Sequence, residues 1–162
     1  MAAEYNASVG VVSNSIERGV TQSRDGISVN GDFGVKFDNG LFANYQPATI
    51  DFGDSTSIKH QVFLGYTVPT SLTGPVKVSV GTYTRLFTGG KGVGTPSDRN
   101  FTEAFVKLGY AGFTADLYKT VDDSKTPLGY NSYASLGYST KLISNLSGSI
   151  STGYTHYATT GT

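Results

Sequence analysis

The chain has no cysteine, which excludes disulfides and thiolate metal centres and leaves the redox compartment open. It has no tryptophan and no net charge, with 12 basic residues balanced by 12 acidic ones, so neither nucleic acid nor a strongly acidic partner is indicated. Strong helix-forming runs are scarce, and no window approaches the roughly 18 consecutive apolar residues of a membrane helix. Hydropathy alone would read the protein as soluble. The opening Met1-Ala2-Ala3-Glu4 lacks the charged and apolar regions of a secretory signal. It reads as a mature N-terminus behind an initiator Met, with a signal peptide removed.

What is present favours extended chain. There are 21 Gly, 11 Tyr and 9 Phe among 162 residues, a length that fits a single domain spanning 1–162. Residues 27 to 37 alternate Ile27, Val29, Gly31, Phe33, Val35 and Phe37 with Ser28, Asn30, Asp32, Gly34 and Lys36. One face of such a strand suits lipid or a dry core, and the other suits water.

The same rhythm predicts nine strands, near 4–13, 27–38, 41–50, 57–68, 76–87, 100–110, 113–121, 131–140 and 146–157. Most are close to the ~9–11 residues that a tilted strand needs to cross a bilayer. Short links alternate with long loops. The short ones are Asp38-Asn39-Gly40, residues 69–75, Ala111-Gly112 and residues 141–145; the long ones are residues 14–26, 51–56, 88–99 and 122–130. Short turns at one end and long loops at the other are the pattern of an up-and-down transmembrane β-barrel, here of about 8–10 strands. A soluble β-sandwich is the alternative fold, because alternation alone does not separate a lumen from a solvent face.

Leu64-Gly65-Tyr66, Leu108-Gly109-Tyr110 and Leu136-Gly137-Tyr138 share parity and position. Tyr66, Tyr110 and Tyr138 are therefore expected to form an outward aromatic girdle at the short-turn end. The opposite parity is expected to line the interior with Asp32, Lys36, Lys59, Gln61, Lys77, Arg85, Glu103, Lys107 and Asp116. Those charges number five bases to three acids, and a hydrated lumen of that sign would favour small anions weakly.

Ser13-Asn14-Ser15-Ile16-Glu17-Arg18-Gly19-Val20-Thr21-Gln22-Ser23, Val29-Asn30-Gly31-Asp32-Phe33, Gly40-Leu41-Phe42-Ala43 and Ile50-Asp51-Phe52-Gly53 carry a resemblance over the first third of the chain. They are similar to a family of bacterial outer-membrane proteins of unknown function. Its members pair a Ser-x-x-x-x-Arg-Gly-x-Ser-Gln-like stretch after the first strand with a Gly-rich second strand. Two departures stand out: Glu17 replaces the aromatic usual before Arg-Gly, and the tryptophan common in the third strand is missing. The resemblance implies a barrel in a Gram-negative outer membrane. It supplies no substrate, cofactor or catalytic residue.

Nine is an odd strand count, and the polar end Ala158-Thr159-Thr160-Gly161-Thr162 lacks the terminal aromatic of such barrels. Either a final strand is lacking, a strand is miscounted, or a neighbouring chain completes an edge, which would make the protein a homo-oligomer or the partner of another barrel.

Motifs for chemistry are weak. Gly89-Gly90-Lys91-Gly92-Val93-Gly94-Thr95 has its lysine misplaced for a phosphate loop and reads as an exposed loop. His60 and His156 stand in different strands without a clear acidic and nucleophilic constellation, although either could serve a Ser/His dyad. Asp122-Asp123 and the Asp51/Asp54 pair read as solvated turns rather than calcium ligands, and Arg18 and Gln22 as packing at the mouth of the barrel. No enzyme activity, cofactor or metal is expected. Two function classes remain, a narrow channel or solute-binding pore, and a non-conducting structural or interaction barrel; the filled interiors of small barrels count against a wide pore.

Overall fold

The computed structural model describes residues 2–53, 56–89, 100–122 and 130–157. It is all-β apart from one helical turn. The strands are β1 (Ala3–Val12), β2 (Ile16–Glu17), β3 (Val20–Thr21), β4 (Ser28–Phe37), β5 (Leu41–Asp51) and β6 (Thr56–Thr67). The turn α1 (Thr70–Thr73) precedes β7 (Lys77–Gly89), β8 (Phe101–Tyr110), β9 (Phe113–Asp122), β10 (Tyr130–Ile143) and β11 (Leu146–Tyr157). Nine of these strands form one antiparallel meander in the order β1-β4-β5-β6-β7-β8-β9-β10-β11, while β2 and β3 pair as a separate hairpin. Strands β1 and β11 are its two edges and run parallel to one another. Each strand expected from alternation has a counterpart here, displaced at either end by three residues at most.

Three links differ from expectation. The first long loop is not irregular, because its middle folds into the β2–β3 hairpin. Residues 69–75 hold α1, which Pro69 and Gly74 bound. The link placed at 141–145 is shorter, because β10 continues to Ile143 across a bulge between Lys141 and Ile143. A bulge absorbs one residue without ending the ladder, so alternation breaks there while pairing does not.

Register places Tyr66 opposite Leu41, the first residue of β5, and both Tyr110 and Tyr138 opposite Phe113, the first residue of β9. The three tyrosines therefore share the level of the short turns. Two of them cover a turn glycine. A Cβ on Gly40 (φ +90°) would lie 3.0 Å from the Tyr66 ring and 2.4 Å from the Thr67 carbonyl oxygen. On Gly112 (φ +86°) it would lie 3.2 Å from the Tyr138 ring and 2.5 Å from the Ser139 oxygen. The left-handed backbone and the overlying ring both require glycine, so the two turns are built alike.

The sheet separates two kinds of surface. On the outer face stand Leu64, Leu117, Leu136 and Ile150, all more than half exposed. On the inner face Tyr83, Phe101 and Phe105 are buried, with Phe42, Phe63 and Tyr118 against them. Glycines 65 and 81, opposed in register, leave room for the Phe42 and Phe105 rings. The sheet curls around a cavity of about 530 Å3 whose lining runs from Ser8 on β1 to Ser135 on β10.

Candidate functional site

The hairpin is local in origin. Ile16 pairs with Thr21 and Glu17 with Val20, leaving Arg18 and Gly19 as a two-residue loop with φ of +50° and +80°. Positive φ at both loop residues matches the twist of the flanking strands, and Gly supplies it freely while Arg does not. The base of the hairpin is tied down. The Gln22 amide donates to the Ser15 carbonyl at 2.6 Å, and the Asp51 amide at the end of β5 donates to the Gln22 carbonyl at 2.9 Å. The Ser23 hydroxyl accepts from the Ser15 amide at 2.9 Å and donates to the Gly26 carbonyl at 2.7 Å. Gln22 and Ser23 are accordingly buried.

So anchored, the tip lies on the inner face with its two charged residues on different walls. Glu17 meets β6 and β7: Lys59 Nζ donates to its Oε2 at 2.6 Å, Gln61 Nε2 to its Oε1 at 3.1 Å and the Tyr83 hydroxyl to the same Oε1 at 3.2 Å. Arg85 Nη2 also donates to Oε1. The Tyr83 oxygen in turn accepts from Arg85 Nε at 2.8 Å and from Gln61 at 2.5 Å, so the cluster is closed on itself. Arg18 meets β8 through two parallel bonds, Nη1 to Glu103 Oε1 at 3.0 Å and Nη2 to Oε2 at 2.5 Å. Its guanidinium carbon lies 4.4 Å from the centre of the Tyr133 ring and 5.1 Å from that of Tyr118.

All five charges are substantially removed from water. Relative exposure is 0% for Glu103, 3% for Lys59 and 5% for Arg85. An unpaired ion at such depth costs several kcal/mol, and only pairing with saturated hydrogen bonds offsets that. Burial pushes the Glu17 carboxyl up, but Arg85 and Lys59 beside it pull it further down, below the ordinary 4.5. Burial lowers the Arg18 guanidinium, and the Glu103 carboxylate more than restores it.

The chain matches, over residues 2–162, the sequence pattern of a family described as a bacterial protein of unknown function (Gcw_chp). It belongs to that family. No curated protein and no solved structure matches it. In this Gcw_chp chain the Arg18-Gly19 pair is the hairpin loop itself, and Glu17 is the residue that joins Lys59 to Arg85.

Of the nine residues expected to line the interior, seven fall into three groups. Lys59, Gln61 and Arg85 converge on Glu17, and Glu103 is held by Arg18. Asp32 forms a second group, accepting from the side-chain amides of Asn6 at 2.5 Å, Asn44 at 2.9 Å and Gln46 at 2.6 Å. Lys107 sets its ammonium 5.1 to 5.7 Å from the Phe63, Phe105 and Tyr118 ring centres, while its register partner Asp116 lines the cavity. Lys36 and Lys77 stand apart, exposed near the short turns. The hairpin adds one acid and one base to the five bases and three acids expected on this face, Glu17 pairing with Lys59 and Arg85 and Arg18 with Glu103, so the excess of bases is unchanged while those charges are paired.

His60 stands on the outer face, where its Nδ1 pairs with the Tyr45 hydroxyl at 2.7 Å and its Nε2 with the Thr88 hydroxyl at 2.8 Å. His156 pairs in register with Ser132. Residues 90–95, Asp54 and Asp123 lie outside the described residues. Sequence reasoning missed Glu17 and Tyr83 as members of the site. The available signal was a hydrogen-bonding aromatic, Tyr83, two residues from an inward arginine, together with a lone acid beside a turn dipeptide.

Proposed function

We propose that this protein is an outer-membrane β-barrel, a narrow channel or solute-binding pore whose long-loop mouth is stoppered by the β2–β3 hairpin. One observation carries the reading: polarity is inverted. Glu103, Lys59 and Arg85 are among the most buried side chains, while Leu64, Leu117, Leu136 and Ile150 lie more than half exposed. In water an apolar surface of that extent is covered. A soluble sandwich would pack it against a second sheet, with the charges outside. In a bilayer the same arrangement is favourable, with apolar side chains toward lipid and charges toward a lumen. Tyr66, Tyr110 and Tyr138 then lie at headgroup depth on the periplasmic side.

Membrane lipid is the first partner of such a protein. Strands β1 and β11, the sheet edges, need partners in lipid because unpaired backbone groups there cost several kcal/mol each. A further strand, a second copy or a partner barrel would supply them.

The experiment is in two parts. The chain should fold only with detergent or lipid, and a folded monomer in plain buffer overturns the membrane reading. In planar bilayers the intact protein should open rarely and a variant lacking residues 16–21 persistently. Silence in both supports the second reading, a non-conducting structural or interaction barrel, which the hairpin across the inner face also favours.

A further inference from the structure

The contacts of Arg18 describe a binding site as much as a structural pair. A carboxylate with no exposure, Glu103, presents both oxygens to one guanidinium, and two tyrosine rings flank the same group. A carboxylate combined with aromatic faces is the chemistry that selects organic cations over hydrated metal ions. The cavity of about 530 Å3 reaches Arg18, Tyr118 and Tyr133. Arg18 itself is held at a backbone φ of +50°, which a non-glycine residue adopts only when its surroundings impose it.

We propose that Glu103, Tyr118 and Tyr133 form a cation-binding cage that Arg18 occupies as an internal stand-in, and that a small dibasic solute displaces it and releases the hairpin. This rests on the reading of the hairpin as a stopper. The solute must be dibasic for a physical reason. A tethered group competes at an effective concentration of order mM, so a ligand with a single contact gains little against it. A second anchor removes that disadvantage. Asp32 and Asp116 line the same cavity and enter none of the ion pairs among the described residues. Asp32 has three amide donors and no cation, so its charge is hydrogen-bonded without being neutralised. Asp116 lies on β9 four residues from Thr120, the register partner of Glu103, or about 13 Å along the strand. A solute with a guanidinium at one end and an ammonium at the other fits both anchors.

The test is calorimetric titration of agmatine into the folded full chain, with sodium chloride matched for ionic strength. Arg18→Gly should bind agmatine at least tenfold more tightly than the unaltered protein, and adding Glu103→Gln should abolish that gain. If folded Arg18→Gly binds no more tightly, or if Glu103→Gln leaves the gain intact, the cage is not a cation site. Should Arg18→Gly not fold, Arg18→Lys serves instead. It keeps the charge and loses the two-point geometry, so agmatine affinity should rise severalfold, and an unchanged affinity overturns the proposal. Because the titration is read in whichever medium folds the chain, its failure is distinct from failure of the barrel reading, which detergent dependence decides.

Discussion

Arg18 and Glu103 lie 85 residues apart in the sequence and meet through two parallel hydrogen bonds, with Glu103 wholly removed from solvent. Removing one member of a buried pair strands the other. Arg18→Ala should therefore destabilise the fold by about 3–5 kcal/mol, while the double variant with Glu103→Leu should recover part of that loss. Urea unfolding of the detergent-solubilised protein measures both. A loss below 1 kcal/mol for the single variant would mean that the hairpin is not docked in solution.

Glu17 gives the pH dependence a defined sign. Its folded carboxyl titrates below the ordinary 4.5, so its contribution to stability is complete above that value and is lost as the pH falls through the lower folded value. The unaltered protein should thus lose stability more steeply than Glu17→Gln on acidification below about 4.5. Parallel acid-unfolding curves would show that Glu17 carries no linkage.

The outer face can be tested by charge. Leu117, near the middle of β9, is 53% exposed, and arginine there should destabilise by ~2–4 kcal/mol if the position faces the centre of a bilayer. Lys36→Ala, on the other parity near a turn, should change stability far less. Similar losses in detergent-to-lipid refolding would remove the distinction between faces.

The paired turns make a fourth prediction. Alanine at Gly40 or Gly112 must adopt a left-handed φ beneath a tyrosine ring and should cost about 1–3 kcal/mol at each site. Thermal melting of the two single variants reads this directly, and an unchanged midpoint in either would show that its turn relaxes.

The strands were legible because each is a local object. Alternation in β4 or β6, bounded by Asn39-Gly40 or Pro69, needs no knowledge of distant residues. Ladder irregularities are less local, and β10 outran its expected end because Lys141 begins a bulge. The site was legible only by halves. Parity put Lys59, Gln61, Arg85 and Glu103 on one face, but their partners, Glu17 at the end of a two-residue strand and Arg18 in the turn after it, stand in a segment too short to show any period. Glu17 is 42 residues from Lys59 and 68 from Arg85, and no spacing rule spans such separations. What decides the contact is the curl of the sheet, a tertiary property. The Arg18-Gly19 turn was visible as a motif; that it points inward was not.

Glu17 and Arg18 are adjacent in the chain, one acidic and one basic, and the other residues of the hairpin, Ile16, Gly19, Val20 and Thr21, are uncharged. Along any path through the mouth this unit moves no net charge. A membrane potential does work of about 2.3 kcal/mol per elementary charge per 100 mV of field crossed, and on neighbouring opposite charges the two amounts cancel. The open fraction of the proposed channel should accordingly stay flat as the applied voltage changes, leaving the composition of the surrounding solution as what governs it.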